Sequence, residues 1–283
     1  MKNAIIVNIW TNLEEYSFSP SISSPVIVYA NIRLDNAPIV NAKVFCQIQY
    51  LNQSGALHHH SVQLIDNGSG DPDTEGQDGI YSKYITWLPG PGHYSVTLQV
   101  ISKEDDQAFV LDTSAGTNIT LGKKKLGHFS RIVKGNLFKI DNMNKSLSDS
   151  IPPSRILDLC VQVLTSSQQL EFRWTAPGDD YDQGKPSSYQ LFESKNSDKF
   201  YKMNKSSAIL VESFSAVQQA GGQESHKVSV KSFNQNLFYL LLAVDNEGNM
   251  GDMSNVVKAY MPRPLVIGQS GRNDTLLWSQ NIK

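Results

Sequence analysis

Residues 66–82 read DNGSGDPDTEGQDGIYS, with four aspartates, one glutamate and four glycines in seventeen positions. Carboxylates at this density can coordinate calcium, or can do acid–base chemistry where a pocket splits their affinities for protons. Asp71, Asp73 and Glu75 followed by Gly76 match the first half of an EF-hand loop, in which alternate oxygens converge and glycine permits the turn. The second half departs from it: the twelfth position is Ser82 instead of a bidentate glutamate, and a strand pattern follows where a helix should. A weak calcium site of another kind, built from Asp66, Asp71, Asp73 and Asp78, is one reading. The other is a hairpin connection, because Asn67-Gly68 and Asp78-Gly79 are both strong turn dipeptides. The turn reading is preferred, and calcium is the one cofactor considered. Catalysis is not expected, since a carboxylate pair needs an apolar pocket to separate its titrations and this loop is polar throughout.

Two further acidic groups lie in the second half of the chain: GDDYDQG, with Asp179, Asp180 and Asp182, and DNEGNMGD, with Asp245, Glu247 and Asp252. In a β-sandwich these segments are loops at one pole, where six carboxylates would face one another as a divalent-cation or basic-partner site. Solvated loops are the plainer reading. His58, His59 and His60 are consecutive, so on a strand only His58 and His60 share a face, and no cysteine or carboxylate stands beside them at zinc spacing. A surface hairpin is preferred there. The KKK run at 123–125 reads as solvated chain. No phosphate-binding glycine loop, nucleophile elbow or H-E-x-x-H helix occurs. N-x-Ser/Thr sequons begin at Asn52, Asn67, Asn118, Asn144, Asn204 and Asn273, and six among 21 asparagines lean toward a secreted glycoprotein.

The elements that must position these groups are strands. In GHYSVTLQV, Tyr94, Val96, Leu98 and Val100 alternate with His93, Ser95, Thr97 and Gln99, as in a half-buried antiparallel strand. The rhythm recurs at 26–34, 42–50, 61–65, 80–88 and 108–111, between clusters of Pro, Gly, Asn and Asp. Six or seven short strands in about a hundred residues predict a β-sandwich. Residues 122–152 are rich in Lys, Ser, Asn and Gly and read as a linker. A second series then begins with RILDLCVQV and QLEFRWTAPG, where Leu170, Phe172 and Trp174 share a face and Trp174 is a core tryptophan.

The totals exclude some partners. Lys plus Arg number 25 against 27 Asp plus Glu in 283 residues, so no basic field exists to hold nucleic acid. The longest apolar run, LFYLLLAV, is far short of the roughly 20 residues of a membrane-spanning helix. The N-terminal apolar patch is interrupted by Asn8, Asn12 and two glutamates and does not read as a signal peptide. Cys46 and Cys160 are expected to be free thiols, too distant in sequence and pattern to form a framework.

The double-proline entry, FRWTAPGDDYD and AVDNEGNMGDMSN resemble a fibronectin type III module, with Leu237 where that family usually has the tyrosine of its corner. A larger pattern is more specific. SPVIVYANIRLDNAPIVNAKVFCQI, then LIDNGSGDPDTEGQDGIYSKYITWLPGPGHYSVTLQV, FSRIVKGNLF, PPSRILDL and WTAPGDDYDQGKPSSYQL stand in one order. That order and spacing resemble the C-terminal half of calcium-activated chloride channel regulator proteins, over roughly residues 20 to 262. The resemblance implies an all-β chain of two tandem antiparallel β-sandwiches. The expected layout is a family-specific sandwich over 1–121, a linker over 122–152, a fibronectin type III domain over 153–262 and a tail over 263–283. It also implies a non-catalytic, extracellular or cell-surface fragment or short paralogue that modulates calcium-dependent chloride conductance. Its partner would be an extracellular or membrane protein, such as a chloride channel. The alternatives are a stand-alone adhesion or glycan-binding module, and an accessory region of a metalloprotease encoded elsewhere.

Overall fold

The computed structural model describes residues 4–13, 17–18, 25–102, 108–112, 122–141, 151–201 and 208–263. Its first half is eleven strands in two sheets. β1 (Ile5–Thr11), β3 (Val26–Leu34), β4 (Ala37–Val40), β9 (Phe109–Asp112) and β10 (Gly122–Lys125) pair in that order, with β7 (Ile80–Ile85) also on β3. The facing sheet runs β2 (Ser17–Phe18), β11 (Phe129–Ile140), β8 (Gly92–Ser102), β5 (Lys43–Asn52) and β6 (Leu57–Leu64). All pairings are antiparallel except the short parallel contact of β2 with β11. Alternation puts Val44, Cys46, Ile48, Val96, Leu98 and Val100 on the inner face, where they meet Val28, Ala30 and Ile32 of the other sheet.

The second half is a separate core. β12 (Cys160–Leu164), β13 (Gln169–Thr175) and β16 (Gln223–Ser229) form one sheet. β15 (Ile209–Ser215), β14 (Ser188–Ser194), β17 (Asn236–Val244) and β18 (Val257–Tyr260) form the other, and one helical turn, α1 (Asp198–Tyr201), follows β14. A three-stranded sheet of the first, second and fifth strands against a four-stranded one is the fibronectin type III arrangement. Trp174 is buried against Tyr189 with ring centroids 4.9 Å apart, as its place on the apolar face of β13 predicts. Leu237 packs into the same core, so apolar contact stands where the tyrosine corner would be. Both cysteines are free, Cys46 in the first core and Cys160 exposed.

The expected linker is different in the structure. Residues 122–125 and 129–140 are strands, and β11 lies inside the first sandwich, between β2 and β8. Its register slips between Lys134 and Leu137, so Phe129 and Val133 face inward before the slip and Phe138 and Ile140 after it. Ile132 and Leu137 are left exposed on the outer face. One bulge thus hides the period-two signal, and interspersed lysines complete the appearance of a loop. Gly135 sits at the slip, where a Cβ would stand 2.7 Å from Val96 Cγ2 and 2.8 Å from Ile9 Cδ1. Gly135→Ala is expected to lower stability by about 1–3 kcal/mol through overpacking, read from the urea midpoint. An unchanged midpoint would place this segment outside the core.

Candidate functional site

The two sandwiches meet on the outer face of the β3–β7 pair, and the aspartate-rich loop is part of the junction. β3 is apolar on both faces: Val26, Val28 and Ala30 point into the core, while Ile27 and Tyr29 point out. Tyr84 of β7 lies opposite Ile27 in the register and shares that outer face. Tyr181, from the second sandwich's loop between β13 and β14, stacks on Tyr84 with centroids 4.5 Å apart and planes 20° apart. Ile27, Tyr84 and Tyr181 form a small apolar cluster, with Tyr29 and Ile151 packed on it.

Polar contacts surround this cluster. Lys83 Nζ donates to the Asp182 carbonyl at 2.9 Å and lies 3.2 Å from Asp182 Oδ2, with both side chains largely buried. By distance this is an ion pair on a buried carboxylate. Burial pushes the Asp182 carboxyl up to about 6, with Lys83 and the backbone of Tyr84 and of Asp182 itself only partly opposing it. Gln183 Nε2 donates to the Tyr84 carbonyl at 3.2 Å, and the Tyr84 hydroxyl donates to Asp71 Oδ2 at 2.7 Å. Burial raises Asp71 as well; Tyr84 and Arg155 oppose the shift, and Asp252 of the second sandwich adds to it. A cavity of about 60 Å³ remains between the two halves, lined by Ser69, Asp71, Lys83, Arg155, Asp158 and Asp182 among others.

The loop presenting Tyr181 is built to do so. Tyr181 has φ of 52°, in the left-handed region that a bulky side chain rarely adopts. Its N–H donates to the Pro152 carbonyl at 2.9 Å, and its carbonyl accepts from Ser154 at 3.0 Å and Gly178 at 2.6 Å. The double-proline entry strand is thereby zipped to the loop. Gly178 permits the closure, since a Cβ there would lie 2.2 Å from both the backbone N and O of Gln183.

Most of the sequence-predicted carboxylates are committed to backbone. Asp66 Oδ1 accepts from the N–H of Gln77 and Asp78, and Oδ2 from that of Gly79. Burial still pushes Asp66 up to about 6, against those bonds. Asp73 Oδ2 accepts from Asn67 and Gly68, and Asp78 Oδ1 from Ile80. Ser82 lies within β7, bridged to Ile65, so the geometry is that of the turn reading. Of the second group, Asp245 is buried and caps Glu247 and Asn249, and Asp182 faces Lys83. Asp179 meets Asn246, Asp252 faces Asp71 and Tyr181, and Asp180 also acts on Tyr181. Glu247 is exposed. The loops do share a pole, but their acids are divided between turn closure and the junction and do not converge. Among the described residues no group of three or more His, Cys, Asp or Glu could hold a metal ion. Asn52 and Asn67 accept hydrogen bonds from the hydroxyls of Ser54 and Ser69 in tight turns; Asn118, Asn144, Asn204 and Asn273 lie outside the described residues. No helix among the described residues is long and apolar enough to cross a membrane.

Sequence reasoning overlooked Ile27, Tyr29, Lys83 and Tyr84. The available signal was the unbroken apolar stretch VIVYA, which a strand with one wet face does not need.

Fold and junction together define a protein of two docked β-sandwiches, the second of fibronectin type III type. The chain is 29% identical to calcium-activated chloride channel regulator 2 of Mus musculus over 280 residues, covering 85% of this chain and 28% of the relative. It is 27% identical to calcium-activated chloride channel regulator 1 of Bos taurus over 270 residues, covering 85% of this chain and 29% of that protein. Against regulator 1 of Homo sapiens the identity is 31% over 189 residues, covering 59% of this chain and 20% of the relative. The chain is thus homologous to part of the calcium-activated chloride channel regulators, as the five motifs indicate, and spans under a third of the length of these relatives. No family model matches it. Among solved structures it is similar to the FN1–FN3 domains of chicken CNTN1, at 12% identity and TM-score 0.30, covering 88% of this chain and 66% of that one. A likeness of that size adds nothing to the strand order already described.

Proposed function

We propose that this chain is a non-catalytic, extracellular two-sandwich scaffold that modulates calcium-dependent chloride conductance through protein contact, its partner being a membrane or extracellular protein such as a chloride channel. The observation that carries the reading is similarity to two chloride channel regulators across 85% of the chain. The junction supports a scaffold: stacked tyrosines and a buried ion pair hold two sandwiches in one arrangement, as a surface recognised across both would need. The acidic loops suit the same role, since their carboxylates close turns and brace the junction.

Purified chain applied to cells that carry a calcium-activated chloride conductance tests this. Whole-cell current at fixed intracellular calcium is expected to rise on addition of the chain and to stay flat with heat-denatured protein. Unchanged current at saturating, demonstrably folded protein overturns the reading, and cell-surface binding without any current effect would instead favour an adhesion module.

A further inference from the structure

β6 is an edge strand of the five-stranded sheet, and the three consecutive histidines lie on it. Register sets His58 opposite Tyr50, His59 opposite Gln49 and His60 opposite Ile48. His58 and His60 therefore share the face that continues to buried Leu64, and His59 points the other way. His58 stacks on Tyr50 with centroids 5.7 Å apart, and His60 on Trp87 with centroids 5.0 Å apart. Stacking covers a face of each imidazole and leaves the ring edge, which carries both nitrogens. Among the described residues no hydrogen bond engages either ring.

We propose that His58 and His60 form a two-histidine chelate for a divalent late transition metal on edge strand β6, with water completing the coordination. Residues i and i+2 of a strand lie roughly 6.6–6.8 Å apart, a span two imidazoles bridge through one ion at metal–nitrogen distances of about 2.0–2.1 Å. Imidazole suits copper, zinc and nickel, whereas calcium takes oxygen ligands, so this site is chemically separate from the acidic loops. The aromatic rings beneath limit rotation of the imidazoles and hold both on one side of the strand. Since the second nitrogen binds intramolecularly, it is expected to strengthen binding by about 100-fold over one imidazole.

The test is a titration of the untagged full chain with Cu(II) at pH 7.5, followed by tryptophan fluorescence and calorimetry, with Zn(II) as competitor. One equivalent of Cu(II) is expected to quench, because Trp87 lies against His60. His58→Ala and His60→Ala, or the glutamine variants if either alanine variant fails to fold, are expected to weaken binding about 100-fold, while His59→Ala changes it less than twofold. Trp87→Phe should remove most of the quench and leave one-equivalent binding in the calorimeter. Absence of saturable binding, equal weakening by all three histidine variants, or full affinity without His58 or His60 each overturns the proposal.

Discussion

Tyr181→Ala is expected to separate the two sandwiches. The ring is 9% exposed, stacks on Tyr84 at 4.5 Å and forms the centre of a three-residue apolar cluster, so little else at the junction replaces it. Truncating a buried aromatic side chain costs about 3–5 kcal/mol, and here the loss falls mainly on docking, because both sandwich cores lie elsewhere. Thermal unfolding should resolve into two transitions, amide exchange should quicken at Tyr84 and Gln183, and the radius of gyration in solution should rise. Tyr181→Phe keeps the stack and is expected to keep the docked state. Tyr181→Gly sharpens the test: it loses the same ring but relieves the left-handed backbone at φ 52°, and is expected to be about 1 kcal/mol less destabilised than the alanine variant. A double-mutant cycle with Tyr84→Ala should give a coupling above about 0.5 kcal/mol. A single transition at the wild-type temperature in Tyr181→Ala would mean that the stack does not hold the halves together.

The residues that build this junction show what a sequence discloses. Strands with one wet face were legible, because period-two alternation needs only the chain itself: β5 is expected at 42–50 and found at 43–52, and β8 matches GHYSVTLQV. Trp174 was legible for the same reason. β11 was hidden by a bulge, and short strands such as β4 and β10 carry too few residues to show a period. The acidic loop was half legible. Its dipeptides predict the turn that Asp66 and Asp73 close, yet nothing local says that Asp71 will accept from Tyr84 beside a second domain. Docking brings distant segments together, 27–29 and 65–84 against 151–183, and no periodicity within any of them records the others. Tyr181 is the extreme case, since Gly178 and Pro152 together force it into a conformation its own residue type disfavours.

Acidification from pH 7.5 to 5 is expected to stabilise the folded protein. Asp66, Asp71, Asp73 and Asp182 are all shifted upward, each chiefly by burial, and Asp66 and Asp182 reach about 6. In the unfolded chain an aspartate titrates near pH 3.9, so the folded state holds these protons more tightly. The stabilisation from protonation is full below the unfolded value and is lost as pH rises through about 6. For Asp182, whose side chain is 12% exposed, a shift of about two units corresponds to roughly 3 kcal/mol across the whole window, about half of it gained by pH 5. The ion pair with Lys83 does not reverse the sign, because Lys83 keeps its hydrogen bond to the Asp182 carbonyl when the carboxyl is neutral. Asp182→Asn imitates the protonated form: at pH 7.5 it should be more stable than wild type, at pH 5 still more stable but by about half as much, and its urea midpoint should vary less between the two. A wild-type midpoint that falls on acidification, or an Asp182→Asn variant less stable than wild type at pH 7.5, would show that Lys83 pays for the buried carboxylate in full and that the junction favours its charged form.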